Sequence, residues 1–111
     1  MKLKSEIKEE IAEKLSNNLN ISNVILFGSY AHGKPNRSSD IDLLVILKGE
    51  HKTLSYSDRI RNRVQISKSL LNIIKSTPVD VLVHTEKEWK TLLESDSFFY
   101  QEIKDKGEYI I

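Results

Sequence analysis

Apolar positions along this chain follow two alternating periods. Leu3, Ile7, Ile11, Leu15 and Leu19 recur at every fourth residue with Lys and Glu between them, which predicts an amphipathic helix ending near Asn17, Asn18 and Asn20. The segment from Asn23 to Phe27 is short, β-branched and apolar on both faces, as suits a strand covered by helices. Gly28-Ser29 ends it, Tyr30-Ala31-His32 can form a helical turn, and Gly33, Pro35 and Asn36 make a loop. From Asp40 to Leu47 only apolar residues follow the two aspartates, so this stretch reads as the central strand.

A second long helix is predicted from Ser55 or Ser57 to about Lys75. Its core stripe is Ile60, Val64, Ser67, Leu71 and Ile74, widened by Ile66, Leu70 and Ile73. Arg61 and Lys68 fall on the opposite side, whereas Arg59 and Arg63 lie nearer the apolar face and must snorkel from it. These cations fit either a solvated face or a role in which one or two of them reach an anionic substrate. Pro78 stops the helix, and a third strand is predicted from Val79 to His84 with Asp80 near its start. Thr85 and Glu88 have capping-box spacing for a short helix through Trp89, Leu92 and Leu93. Ser95 or Asp96 caps a last helix with Phe98, Phe99 and Ile103 as its apolar positions. Gly107 ends it, and Tyr109-Ile110-Ile111 forms a terminal edge strand. The alternation predicts an α/β (α+β) domain spanning residues 1–111, with helices packed on a small mixed sheet.

Composition narrows the function classes. Seventeen Lys and Arg against sixteen Asp and Glu leave a net charge of +1, so nucleic acid is not indicated as a partner by overall charge. The chain has no cysteine, which removes disulfides, thiolate nucleophiles and Cys-based zinc sites, and fits a reducing cytoplasm. The lysines near the start precede no apolar h-region, and no apolar run reaches membrane-spanning length. A soluble, cytoplasmic protein without a membrane partner is expected.

The chemistry concentrates between Val24 and Leu47. Residues i and i+2 of a strand share a face, so Asp40 and Asp42 project together with Cα atoms about 7 Å apart, from a rise of roughly 3.3 Å per residue. Repulsion and partial burial would raise at least one of their pKa values, a preference that bound Mg²⁺ reverses by taking one or two carboxylates plus phosphate oxygens. Asp80 joins them if the strands are neighbours, as a third ligand or as the base for an attacking hydroxyl. Gly28 admits close backbone approach, Ser29 offers a hydroxyl, the following amides form an anion site, and Ser39 offers a second hydroxyl.

At GSYAHGKPNRSSDIDLLV and VDVLV the chain resembles the nucleotidyltransferase superfamily with a DNA polymerase β type of catalytic core. It is most similar there to the minimal nucleotidyltransferases (MNT), which often occur with HEPN partner proteins. The resemblance implies a phosphate-binding turn at Gly28 and Ser29, metal ligands at Asp40 and Asp42, and a third carboxylate at Asp80. It also implies ATP as donor, and as acceptor a HEPN toxin adenylylated in a toxin and antitoxin arrangement, the acceptor site coming from that partner, from a second copy or from the acceptor itself. One position departs from the family's usual Gly-Ser-x-Ala-Arg-Gly, because His32 stands where arginine is common. Either His32 protonates beside the triphosphate, or Lys34 or Arg37 supplies the cation, or the triphosphate is held weakly. A module that inhibits its partner by occlusion, or one that senses nucleotide without turnover, is the alternative.

Overall fold

The computed structural model describes residues 5–18, 20–31 and 40–111. The elements are α1 (Ser5–Ser16), β1 (Ile21–Phe27), β2 (Ile41–Leu47), α2 (Tyr56–Ser69), α3 (Leu71–Ile74), β3 (Val79–Thr85), α4 (Glu86–Glu94), α5 (Phe98–Lys106) and β4 (Glu108–Tyr109). The four strands form one mixed sheet in the order β3-β2-β1-β4. β1 runs antiparallel to both β2 and β4, and β2 runs parallel to β3 through the α2–α3 crossover. Among the described residues no helix is long and apolar enough to cross a membrane.

Strand alternation divides the core in two. Ile41, Leu43, Val45 and Leu47 of β2 pack with Val24, Leu26, Val81 and Val83 against Ile11 and Leu15 of α1, Ile66 of α2 and Ile73 of α3. On the opposite face Leu44, Ile46 and Ile25 meet Ile103 of α5, with Phe27, Leu82, Trp89 and Tyr100 around them. Leu43, Leu44 and Val45 are wholly buried, which explains the unbroken apolar run of β2. A single-residue slip of β2 would exchange the two faces and drive Asp42 into the α1–α3 layer.

The second helix packs differently from the predicted stripe. Ile60, Val64 and Leu71 are 42%, 46% and 55% exposed, while Ile66, Leu70 and Ile73 are buried. Two apolar stripes compete on this segment, and the one at 66, 70 and 73 wins because it shares its side with Arg59. That arginine reaches the edge of β3, where Nη1 donates to the Val83 carbonyl at 2.6 Å and Nη2 pairs with Glu88 Oε2 at 2.7 Å. The helix also breaks at Leu70, giving α2 and α3 in place of one element. The N-cap of α5 is Ser97 rather than Ser95 or Asp96, and Phe98 is 78% exposed.

Thr85 and Glu88 form the predicted capping box. Glu88 further accepts from the Leu54 amide at 3.1 Å, so a single carboxylate joins α2, α4 and the segment before α2. Burial opposes its charge, but the hydrogen bond from Arg59, the Thr85 and Leu54 amides and the charge of Arg59 outweigh it and bring the pKa down from 4.5 to about 2. Glu88 in turn raises the pKa of Arg59, chiefly through the hydrogen bond they share. Beside them, burial and then the Arg59 charge lower the pKa of His84. An arginine can only donate, so Nδ1 of neutral His84 accepts from Arg59 at 3.3 Å, and Nε2 donates to the Tyr100 hydroxyl at 3.3 Å.

This network makes a prediction about acid stability. Because the folded pKa of Glu88 lies below its unfolded value, its contribution is fully present above about 4.5 and is lost as pH falls toward about 2. Glu88→Gln lowers stability at neutral pH by about 2–3 kcal/mol. Urea unfolding of both proteins across that window should show their difference shrinking toward zero at the acid end.

Candidate active site

The mouth of the site is the edge of the sheet where β1 ends and β2 and β3 begin. Antiparallel pairing sets Phe27 opposite Asp42, and parallel pairing sets Asp42 opposite Asp80. Neighbouring strands lie about 4.8 Å apart, so Asp42 and Asp80 project side by side on the face covered by α4 and α5. Asp40 immediately precedes β2 and is partly buried there. The three carboxylates predicted from strand periodicity therefore gather at one end of the sheet, with Asp42 in the middle.

Gly28 follows Phe27 with φ of +76°, a left-handed conformation that other residues adopt only with strain. A Cβ built on it would lie 2.2 Å from Asp42 Oδ2. The missing side chain therefore makes room for the aspartate's own carboxylate, and the Gly-Ser turn is packed directly against the Asp-x-Asp strand. After Gly28 the backbone forms a turn, closed by the Ala31 amide donating to the Gly28 carbonyl at 3.1 Å, with Ser29 exposed. His32, Lys34, Arg37 and Ser39 lie outside the described residues.

Burial raises the Asp42 pKa, and the charges of Asp80 and then Asp40 push it in the same direction. No ion pair among the described residues involves any of the three. Such a donor set suits a hard divalent cation. Among the described residues no three His, Cys, Asp or Glu side chains are gathered closely enough to cage a metal by themselves. That is no obstacle for Mg²⁺, which commonly takes one or two carboxylates and completes its shell with water and phosphate oxygens. The clustered anionic oxygens thus fit a hard divalent cation.

A cleft of about 560 Å³ opens beside the carboxylates. Asp42 and Asp80 line it together with Phe27 and Phe99 on one side and Arg63 and Ser67 of α2 on the other. Phe27 and Phe99 meet edge to face with ring centroids 5.8 Å apart. Across Phe99 a smaller hollow of about 150 Å³ runs past Gly28 toward Lys106. The sequence pattern did not single out Phe99 as a cleft residue, since an aromatic at that spacing reads as core; its place at the N-terminus of α5 is what exposes it.

Residues 9–110 match the family described as Polymerase beta, Nucleotidyltransferase. The chain belongs to this nucleotidyltransferase family. A provisionally named protein adenylyltransferase of Methanocaldococcus jannaschii, MJ1215, is 42% identical over 48 residues, which cover 40% of this chain and 56% of that protein. A crystal structure of a provisionally named nucleotidyltransferase from Sulfolobus solfataricus superposes with a TM-score of 0.50 at 30% identity, covering 78% of this chain and 70% of the other. A toxin–antitoxin structure with AMP-PNP shares the fold, with a TM-score of 0.56 at 24% identity and coverage of 94% and 72% of the two chains. The nucleotidyltransferase fold accounts for the mixed sheet and for the helices on both of its faces.

The contact between Gly28 and Asp42 is directly testable. Gly28→Ala places a methyl group on Oδ2 and imposes a left-handed conformation that costs about 1–2 kcal/mol. Thermal unfolding should show that loss, and nucleotidyl transfer should fall by more than the residual folded fraction accounts for.

Proposed function

We propose that the chain is a Mg²⁺-dependent nucleotidyltransferase that moves AMP from ATP to a hydroxyl on an acceptor. The observation that carries this reading is the side-by-side placement of Asp42 and Asp80, with Gly28 packed against the Asp42 carboxylate. Membership of the nucleotidyltransferase family supports it, and so do the adenylyltransferase name of MJ1215 and the AMP-PNP in one structural neighbour. ATP is made and used in the cytoplasm, the setting proposed for the reaction.

In this reading the Gly28-Ser29 turn, with His32 and Ser39, receives the phosphates of the donor. Asp40 and Asp42 hold Mg²⁺, with Asp80 as the third carboxylate, and the bound ion supplies charge neutralisation for the phosphates. The acceptor oxygen attacks the α-phosphorus, the bond from phosphorus to the bridging oxygen breaks, and pyrophosphate leaves. Asp80 is the most exposed of the three and takes the hydroxyl proton. The acceptor is a HEPN-type toxin partner, a reading supported by fold relatives described as toxin–antitoxin complexes, one of them MntA-HpeT. A second copy of the chain is the other source for the acceptor side. We take residues 1–111 as one minimal nucleotidyltransferase domain.

The experiment incubates the protein with Mg²⁺, ATP labelled at the α-phosphate, and a candidate HEPN-type partner protein. Label should pass to the partner with release of pyrophosphate, and Asp42→Ala should abolish transfer while the two proteins still associate. Mg²⁺ with AMP-PNP at about 100 times its Kd should stabilise the wild type by about 2.7 kcal/mol, and removal of the metal with EDTA should cancel the effect. Undiminished inhibition of the partner by Asp42→Ala would sink transfer as the mechanism and favour occlusion.

A further inference from the structure

Helix α2 carries three arginines, and their fates differ. Arg59 is held by Glu88 and the Val83 carbonyl. Arg61 pairs with Asp58 one turn back at 2.8 Å. Arg63 has no carboxylate within ion-pair distance among the described residues, and residues 1–4, 19 and 32–39 contain no Asp or Glu that could pair with it. It is exposed, and it lines the same cleft as Asp42 and Asp80.

Its position follows from the crossover geometry. Since β2 and β3 are parallel, the helix joining them runs antiparallel to β3, and Arg59 lies level with Val83. One helical turn advances about 5.4 Å, against about 6.6 Å for two strand residues, so Arg63 comes level with Val81, next to Asp80. Ser67, half-buried on the following turn, adds a hydroxyl to the same wall. Across the mouth the order is Gly28 just after β1, Asp42 on β2, Asp80 on β3 and Arg63 on α2. The phosphate turn and the arginine flank the carboxylates from opposite sides.

We propose that Arg63, with Ser67, binds an anionic oxygen group, carboxylate or phosphate, carried by the acceptor next to its reacting hydroxyl. This rests on the transferase reading, in which the donor occupies the Gly28 side and the hydroxyl approaches Asp80. An anion attracted to Arg63 offsets the repulsion it would otherwise meet from three carboxylates and turns its hydroxyl toward Asp80. The planar guanidinium can fork onto either anion, as a lysine cannot. The donor's phosphate tail has the same chemistry, and the experiment separates the two sources.

Wild type, Arg63→Ala, Arg63→Lys and the control Arg61→Ala are compared with Mg²⁺ in two assays: calorimetric titration with AMP-PNP, and AMP transfer to the HEPN-type partner. The expected result is unchanged AMP-PNP affinity and a rise of about tenfold or more in KM for the partner in Arg63→Ala. Arg63→Lys should recover part of the loss and Arg61→Ala should match the wild type. A similar loss of AMP-PNP affinity instead overturns the acceptor assignment and gives Arg63 to the donor's phosphates. Identical affinity and kinetics in wild type and Arg63→Ala overturn the proposal and leave the transferase reading standing. If the wild type transfers no AMP, that reading fails on its own, and titration with inorganic pyrophosphate decides whether Arg63 binds anions. About tenfold weaker binding by Arg63→Ala then supports anion binding at Arg63, whereas equal binding, or none by the wild type, overturns it.

Discussion

The crowding of negative charge around Asp42 is the constraint on which the rest of the molecule depends. Two carboxylates one strand spacing apart, about 4.8 Å, repel by about 1–3.5 kcal/mol between the screening of water and that of a protein surface. Asp42 feels both Asp80 and Asp40, and it is partly withdrawn from water as well. Nothing local relieves this among the described residues, so the arrangement must be held from a distance. Leu43 to Leu47 hold it, because five consecutive buried side chains, packed alternately into two helical layers, fix β2 in depth and in register. Hydrophobic burial thereby presents a cluster of oxygens that by itself would spread apart, a donor set suited to a hard cation.

The two ends of β3 follow opposite electrostatic logic. At its C-terminal end every charge has a partner: Arg59 meets Glu88 and the Val83 carbonyl, and neutral His84 completes the set with Tyr100. That end covers an open sheet edge and joins α2 to α4, so its work is structural. At the N-terminal end Asp80 and Arg63 face a cleft without touching each other, which leaves hydrogen-bonding capacity for something else. One helix carries both arginines a single turn apart, so the Arg59 anchor also sets the height and direction of Arg63.

Much of the site could be read from residue spacing because strand periodicity is strict. Asp42 and Asp80 needed only the assumption that their strands are neighbours, which the parallel register of β2 and β3 satisfies, whereas Asp40 falls one residue before β2 instead of on it and adds to the negative charge felt by Asp42. The Thr85–Glu88 capping box was equally plain, being a local signal three residues long. The facing of α2 was not legible. Ile60, Val64 and Leu71 form as good a helical stripe as Ile66, Leu70 and Ile73, and the choice between them rests on Arg59 finding Glu88, far away in the chain. Phe98 and Phe99 misled for a related reason: the helix start fell at Ser97, later than the predicted cap, and the first turn was left outside the core.

Gly28 shows how the two parts of the motif depend on each other. Read along the chain, the glycine and the aspartates are separated by a loop, and each has a role of its own. In the sheet they touch, because antiparallel pairing of Phe27 with Asp42 brings the end of β1 beside the start of β2 whatever path the loop takes. The glycine is required first by the aspartate, whose carboxylate occupies the place of a Cβ. Through that contact the turn is held directly beside the carboxylates. The fixed quantity in this contact is therefore the strand register, which sets Gly28 against Asp42 independently of the sequence that joins them.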